Sequence, residues 1–193
     1  MAAAPGGSWD RALWGRGLGT IFKINPDGTG FAVLHRLTGL PPDGGILPMA
    51  SLVALGGVFH GATPWGGTSH VGTIYRINPD GSGFALLRSF VAGWHDGACP
   101  NGTLVTFGGT LFGFTSQVGP SAIGAVFKVN RDGSGFVLLH SFMGGGFDGA
   151  YPNSLIAADG VLYGTTFRGG AQDSGTIFKI NPNGSGFALL HWF

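Results

Sequence analysis

Residues 175–193 read GTIFKINPNGSGFALLHWF, and the string has three upstream counterparts: GTIFKINPDGTGFAVLHRL from Gly19, GTIYRINPDGSGFALLRSF from Gly72 and GAVFKVNRDGSGFVLLHSF from Gly124. The opening glycines stand 53, 52 and 51 residues apart, a period at which self-similarity marks a propeller or solenoid built from one supersecondary unit per repeat. Within the first copy, Thr20, Phe22 and Ile24 alternate with Ile21, Lys23 and Asn25, the two-residue period of a strand. The segment Asn25-Pro26-Asp27-Gly28-Thr29-Gly30 then supplies turn residues, and Phe31, Val33, His35 and Leu37 alternate with Ala32, Leu34 and Arg36. The unit is a β-hairpin made four times, with His35 expected on the face of Phe31 and Val33.

Composition supports strands. Thirty-nine glycines, 16 phenylalanines, three lysines and no glutamate remove most good helix formers. Charged residues make up only 10% of the chain and the net charge is +1, which argues against a nucleic-acid footprint or a disordered charged tail. The single cysteine, Cys99, cannot form an internal disulfide. No signal peptide is visible in MAAAPGG, and no apolar run is long enough for a membrane-spanning helix.

Between the hairpins a second pattern returns. Leu13-Trp14-Gly15 aligns with Leu111-Phe112-Gly113 and Leu162-Tyr163-Gly164, and the full unit runs from Asp43, Asp96 and Asp148. Pro48, Pro100 and Pro152 align, and a strand is expected just after each. The reading is one domain over residues 1–193, with four four-stranded antiparallel repeats at about 1–40, 41–92, 93–144 and 145–193, the first truncated. This is the pattern of an all-β propeller, closed on itself or completed by a partner chain. In such a unit the short turns share one rim, while the longer links, 64–71, 91–99, 116–123, 143–151 and 167–174, share the other. Binding groups are expected on the long-link rim.

The strings LYGTTFRGG at 162–170, GTIFKINPNGSGFALLHWF at 175–193 and DGAYPNSL at 148–155 resemble the tandem repeats of bacterial exported proteins known as choice-of-anchor or GloVer-type repeat proteins. The resemblance spans roughly residues 12–193. It implies a propeller-like β fold and extracellular or cell-surface display, and it brings no catalytic residues with it.

Repeated positions read as structural. His35, Arg88, His140 and His191 are equivalent, and the imidazole is expected to bond a neighbouring backbone group. Lys23, Arg76, Lys128 and Lys179 are expected to pair with an aspartate of an adjacent turn. Asp27, Asp80 and Asp132 read as turn residues, and no metal site or cofactor is expected. Residues that break the repeat are more informative, because folding does not demand them four times over. His60 stands where other repeats carry Trp14, Phe112 and Tyr163, and it fills an aromatic slot. Trp65, His70, Trp94, His95, Phe147 and Arg168 fall on the long-link rim, where aromatic faces beside polar groups could anchor a protein or stack on a sugar.

The expectation is a non-enzymatic binding or assembly module that engages another protein chain, as a homo-oligomer or within a larger complex. A carbohydrate-binding, lectin-like propeller using the rim aromatics is the alternative. A hydrolase or metal enzyme built on His60, His70 and His95 ranks last, since no carboxylate partner stands at a diagnostic spacing.

Overall fold

The computed structural model describes residues 18–39, 44–93, 95–117 and 123–193. Among these there are sixteen strands and no helix. They are β1 (Thr20–Lys23), β2 (Ala32–Arg36), β3 (Gly45–Ile46), β4 (Val53–Leu55), β5 (Val58–Thr63), β6 (Trp65–Gly66), β7 (Thr73–Ile77), β8 (Ala85–Ser89), β9 (Val105–Phe107), β10 (Thr110–Thr115), β11 (Ala125–Asn130), β12 (Val137–Ser141), β13 (Gly149–Ala158), β14 (Val161–Gly169), β15 (Thr176–Ile180) and β16 (Ala188–Trp192). The chain is all-β and consists of several small antiparallel sheets. Three are four-stranded, β4-β5-β7-β8, β9-β10-β11-β12 and β13-β14-β15-β16, while β1 pairs with β2 and β3 with β6. The first repeat thus shows only its hairpin, and Leu13-Trp14-Gly15 lies outside the described residues.

The turn joining each hairpin is identical in all four copies. In the first, the Gly28 amide donates to the Asn25 carbonyl at 2.9 Å, while the Thr29 amide and hydroxyl both donate to Asp27 Oδ1 at 2.9 and 2.7 Å. Asn183 accepts the same two bonds from Ser185 in the fourth. An acceptor oxygen is what the turn needs, and Asp or Asn supplies it.

Two expectations about strands are corrected. Each hairpin carries a β-bulge, between Ile21 and Phe22 in the first and at the equivalent place in the others. Val33 pairs with Phe22 but His35 pairs with Ile21, so the histidine lies on the opposite face from Phe31 and Val33. An extra residue in one strand shifts the period of two. Pro152, moreover, lies inside β13 rather than before it, and only β4 and β9 begin after their prolines.

Each sheet therefore has a front face, carrying Phe22, Ile24 and Phe31 or their equivalents, and a back face, carrying Ile21, Leu34 and His35 or theirs. The back of one sheet packs on the front of the next. Ile21 and Leu34 meet Tyr75, Ile77 and Phe84. Ile74, Phe90 and Leu87 meet Phe127, Val129 and Phe136. Val126, Phe142 and Leu139 meet Phe178, Ile180 and Phe187. The core is three interfaces in series, each between neighbours.

A backbone joint recurs at every step. Leu47, Cys99 and Tyr151 adopt left-handed φ angles of 58°, 56° and 57°. Their amides donate to the carbonyls of Leu18, Val71 and Ile123 at 2.8, 2.8 and 2.7 Å. The prolines that follow pack so closely on Gly19, Gly72 and Gly124 that a Cβ there would collide with the ring. Non-glycine residues in this region are strained, and here three aligned ones sit where one repeat is fastened to the next.

Candidate functional site

The repeated cation position is the first group the structure explains. The Arg88 guanidinium lies 3.6 Å from the ring centroid of Phe136 in the next sheet, and its Nε donates to Asp96 Oδ1 at 2.9 Å while Nη2 donates to the same oxygen. Asp96 Oδ2 also accepts the Val91 amide at 2.6 Å. One repeat later, the His140 ring stacks on Phe187 with centroids 3.7 Å apart, its Nε2 lies 3.1 Å from Asp148 Oδ1, and Asp148 Oδ2 accepts the Met143 amide. His35 stacks on Phe84 at 3.9 Å. For His140 the expected backbone partner is corrected to a carboxylate from the Asp-Gly of the following link, and Arg88 takes the equivalent carboxylate. These are structural staples between repeats.

At the second repeated cation position, the expected pairing with a turn aspartate shows among the described residues only as a weak charge effect of Lys23. The Asp80 carboxyl is held below its ordinary value, first by the Ser82 hydroxyl and amide and more weakly by the charge of Lys23 in the preceding hairpin.

On the long-link rim, Trp65 lies in β6 opposite Ile46 and is 40% exposed. His70 is exposed in a turn with φ 59°, and His95 is exposed in the link before Asp96. Arg168 is in β14, with Nη1 3.5 Å from Asp173 Oδ2. Phe147 is 97% exposed. Trp94 lies outside the described residues. No group of three His, Cys, Asp or Glu side chains among the described residues is placed to hold a metal ion. His60, His70 and His95 thus form no such group.

Phe147 lines a concave surface. A groove of about 340 Å³ is formed by Gly146, Phe147, Ala171, Leu189 and Trp192, with Phe187 and Ala188 below. Trp192, 54% exposed, was not among the expected site residues. The signal for it was present, because the aligned residues are Arg36, Ser89 and Ser141 and nothing in the hairpin calls for an indole there.

The opposite rim holds a polar pocket of about 310 Å³ between the second and third sheets, lined by Gly56, His60, Arg76, Arg131 and Asp132. His60 fills its aromatic slot buried, with Nε2 3.3 Å from the Arg131 carbonyl oxygen. Burial is the main cause that pushes its pKa below the ordinary value. Arg131 replaces the proline found in the other three turns, Pro26, Pro79 and Pro182. Two repeat-breaking residues therefore touch, and the pocket presents two guanidinium groups offset by one carboxylate.

The Gloeobacter/Verrucomicrobia repeat model matches residues 12–193, nearly the whole chain. The chain belongs to that repeat family. No curated protein matches the sequence of this Gloeobacter/Verrucomicrobia repeat protein. Among solved structures it is similar to a chain in the crystal structure of a nidogen/laminin complex, with a TM-score of 0.59 and 14% identity. The match covers 88% of this chain and 56% of that one, so the repeat protein spans little more than half the length of its structural neighbour. The likeness is one of fold. Within the described residues no helix is long and apolar enough to cross a membrane.

Proposed function

We propose that this repeat protein is a non-enzymatic interaction module of β-propeller type, displayed outside the cell, whose partner is another protein bound on the long-link rim. The observation that carries the reading is the Phe147–Trp192 groove. Two large aromatics stand open to water at positions where the aligned residues are His95 for one and Arg36, Ser89 and Ser141 for the other. Exposed aromatics beside a depression are the side chains that most often dominate protein recognition. The structural neighbour comes from a complex with a partner protein, and the sheet-on-sheet stack is compatible with blades arranged around an axis.

The test pans a library of short random peptides on the wild-type chain and measures the selected binders against Phe147→Ser and Trp192→Ser. Each substitution should weaken binding by about tenfold or more, the loss of one aromatic anchor, and leave the unfolding midpoint unchanged. Binders unaffected by both substitutions would move the site elsewhere. A glycan array bound by the wild type and lost on Trp65→Ala would replace the protein partner with a sugar.

A further inference from the structure

The repeat-to-repeat interface is made three times among the described residues, and a further copy of each of its halves is exposed, one on the first sheet and one on the last. On the front of the first sheet, Phe22 is 54% and Ile24 51% exposed. Their equivalents are fully buried: Tyr75, Phe127 and Phe178 for the first, Ile77, Val129 and Ile180 for the second, all at 1% or less. Phe31 is 62% exposed, whereas its equivalents Phe84, Phe136 and Phe187 lie over His35, Arg88 and His140. Phe31 already packs on Phe22 at 5.6 Å, close to the 5.5, 5.4 and 5.7 Å of the three interior pairs.

The back of the last sheet shows the other half. Leu190 is 48% and Phe193 57% exposed, against 5%, 0% and 3% for Leu37, Phe90 and Phe142, the equivalents of Phe193. His191 is exposed, and its ring lies edge-on to that of Phe193. A third detail agrees. A Cβ on Gly81, Gly133 or Gly184 would press on the carbonyl oxygen of Leu34, Leu87 or Leu139 in the preceding sheet, because each hairpin turn rests on that strand. Gly28 meets nothing within 4 Å, and the strand position left uncovered is Leu190.

We infer that the front of the first sheet docks on the back of the last sheet of a second copy of this chain, with Phe31 stacking on His191 and the Gly28 turn resting on Leu190. The occupant follows from continuity. Among the described residues, the surface that fits the three equivalents of the Ile177–Leu190–His191–Phe193 face is a hairpin front, and the exposed example of that front is the first sheet. Phe22, Ile24 and Phe31 on one face and Leu190 and Phe193 on the other are large apolar side chains exposed together, the kind of cluster that marks an interaction site. The contact is heterologous, head to tail, so copies form a ring if the rotation closes and a filament if it does not.

The inference goes beyond the rim reading above and can fail separately from it. Sedimentation of the 193-residue chain should show concentration-dependent assemblies. Phe31→Asp and Leu190→Asp should each be monomeric, with unchanged circular dichroism and unfolding midpoint because both positions are exposed. Mixed one to one, they should form a dimer, since each retains the half the other lacks. Phe22→Asp with Phe193→Asp is a second such pair, should either first variant fail to fold. A wild-type chain that stays monomeric at its highest soluble concentration overturns the inference, as does a single variant that still assembles or a folded mixture that stays monomeric. Phe147→Ser should leave assembly intact, and the monomeric variants should still bind rim-selected peptides, so loss of one property without the other identifies which reading has failed.

Discussion

The interface between the second and third sheets and that between the third and fourth follow one plan with different chemistry. In the former, Arg88 reaches Asp96 through two nitrogens and lies over Phe136. In the latter, His140 makes a single contact with Asp148 and stacks on Phe187. The slot that His60 fills in the former holds Phe112 in the latter, where it joins the apolar cluster. The same backbone therefore accepts a charge-assisted joint or a flatter, more aromatic one. What the fold requires at these positions is a planar side chain that can both stack and donate.

Removing the carboxylate breaks the comparison most sharply. The Asp96 side chain is 7% exposed and that of Arg88 25%, so Asp96→Ala strands a half-buried guanidinium and the Val91 amide. A loss of about 3 kcal/mol is expected from urea unfolding. Asp148→Ala should cost less, about 1 to 2 kcal/mol, because its partner makes one contact rather than two. Equal losses would show that the second Arg88 bond contributes nothing.

The converse substitution, His140→Arg, should make the outer interface resemble the inner one. A guanidinium at that place can bond Asp148 twice while remaining over Phe187, and a gain of up to about 1 kcal/mol is expected in the same measurement. A destabilised variant would show that the closer His140 stack depends on an imidazole.

The smallest effect is an acid sensitivity at the interface between the second and third sheets. His60 faces Arg76, Arg131 and Asp132, and it is held below its ordinary pKa of 6.5 mainly by burial. The unfolded chain therefore takes up that proton first as pH falls. The stability contribution of the neutral ring is complete above pH 6.5 and is lost as pH falls through the depressed folded-state value. His60→Phe, which copies Phe112, should flatten the unfolding midpoint between neutral and mildly acidic pH. An unchanged slope would place the acid sensitivity elsewhere.

Much of this was legible in the sequence. Four hairpins of one pattern and their turn chemistry follow from local signals that need no tertiary information. The β-bulge does not, because Val33-Leu34-His35 looks the same on paper whether or not one residue is slipped, and only packing on the next sheet decides which face His35 takes. The staple carboxylates were visible as Asp-Gly pairs but looked like turn residues, since the partner stands eight residues back on the preceding strand. The site was half legible. Phe147 was found as a residue that breaks the repeat, while Trp192 and Arg131 break it just as plainly and were overlooked because they sit inside the best-matched strings.

The proline-capped joint at Leu47, Cys99 and Tyr151 has a consequence for how such genes grow. Each of the three later units carries a left-handed residue and proline at its start and a glycine aligned with the receiving ones about 24 residues later. A duplication of roughly 52 codons, wherever its break falls, copies one complete plug and one complete socket. The newcomer fits its neighbours on the day it arises, and lineages can lengthen or shorten the array without waiting for compensating changes.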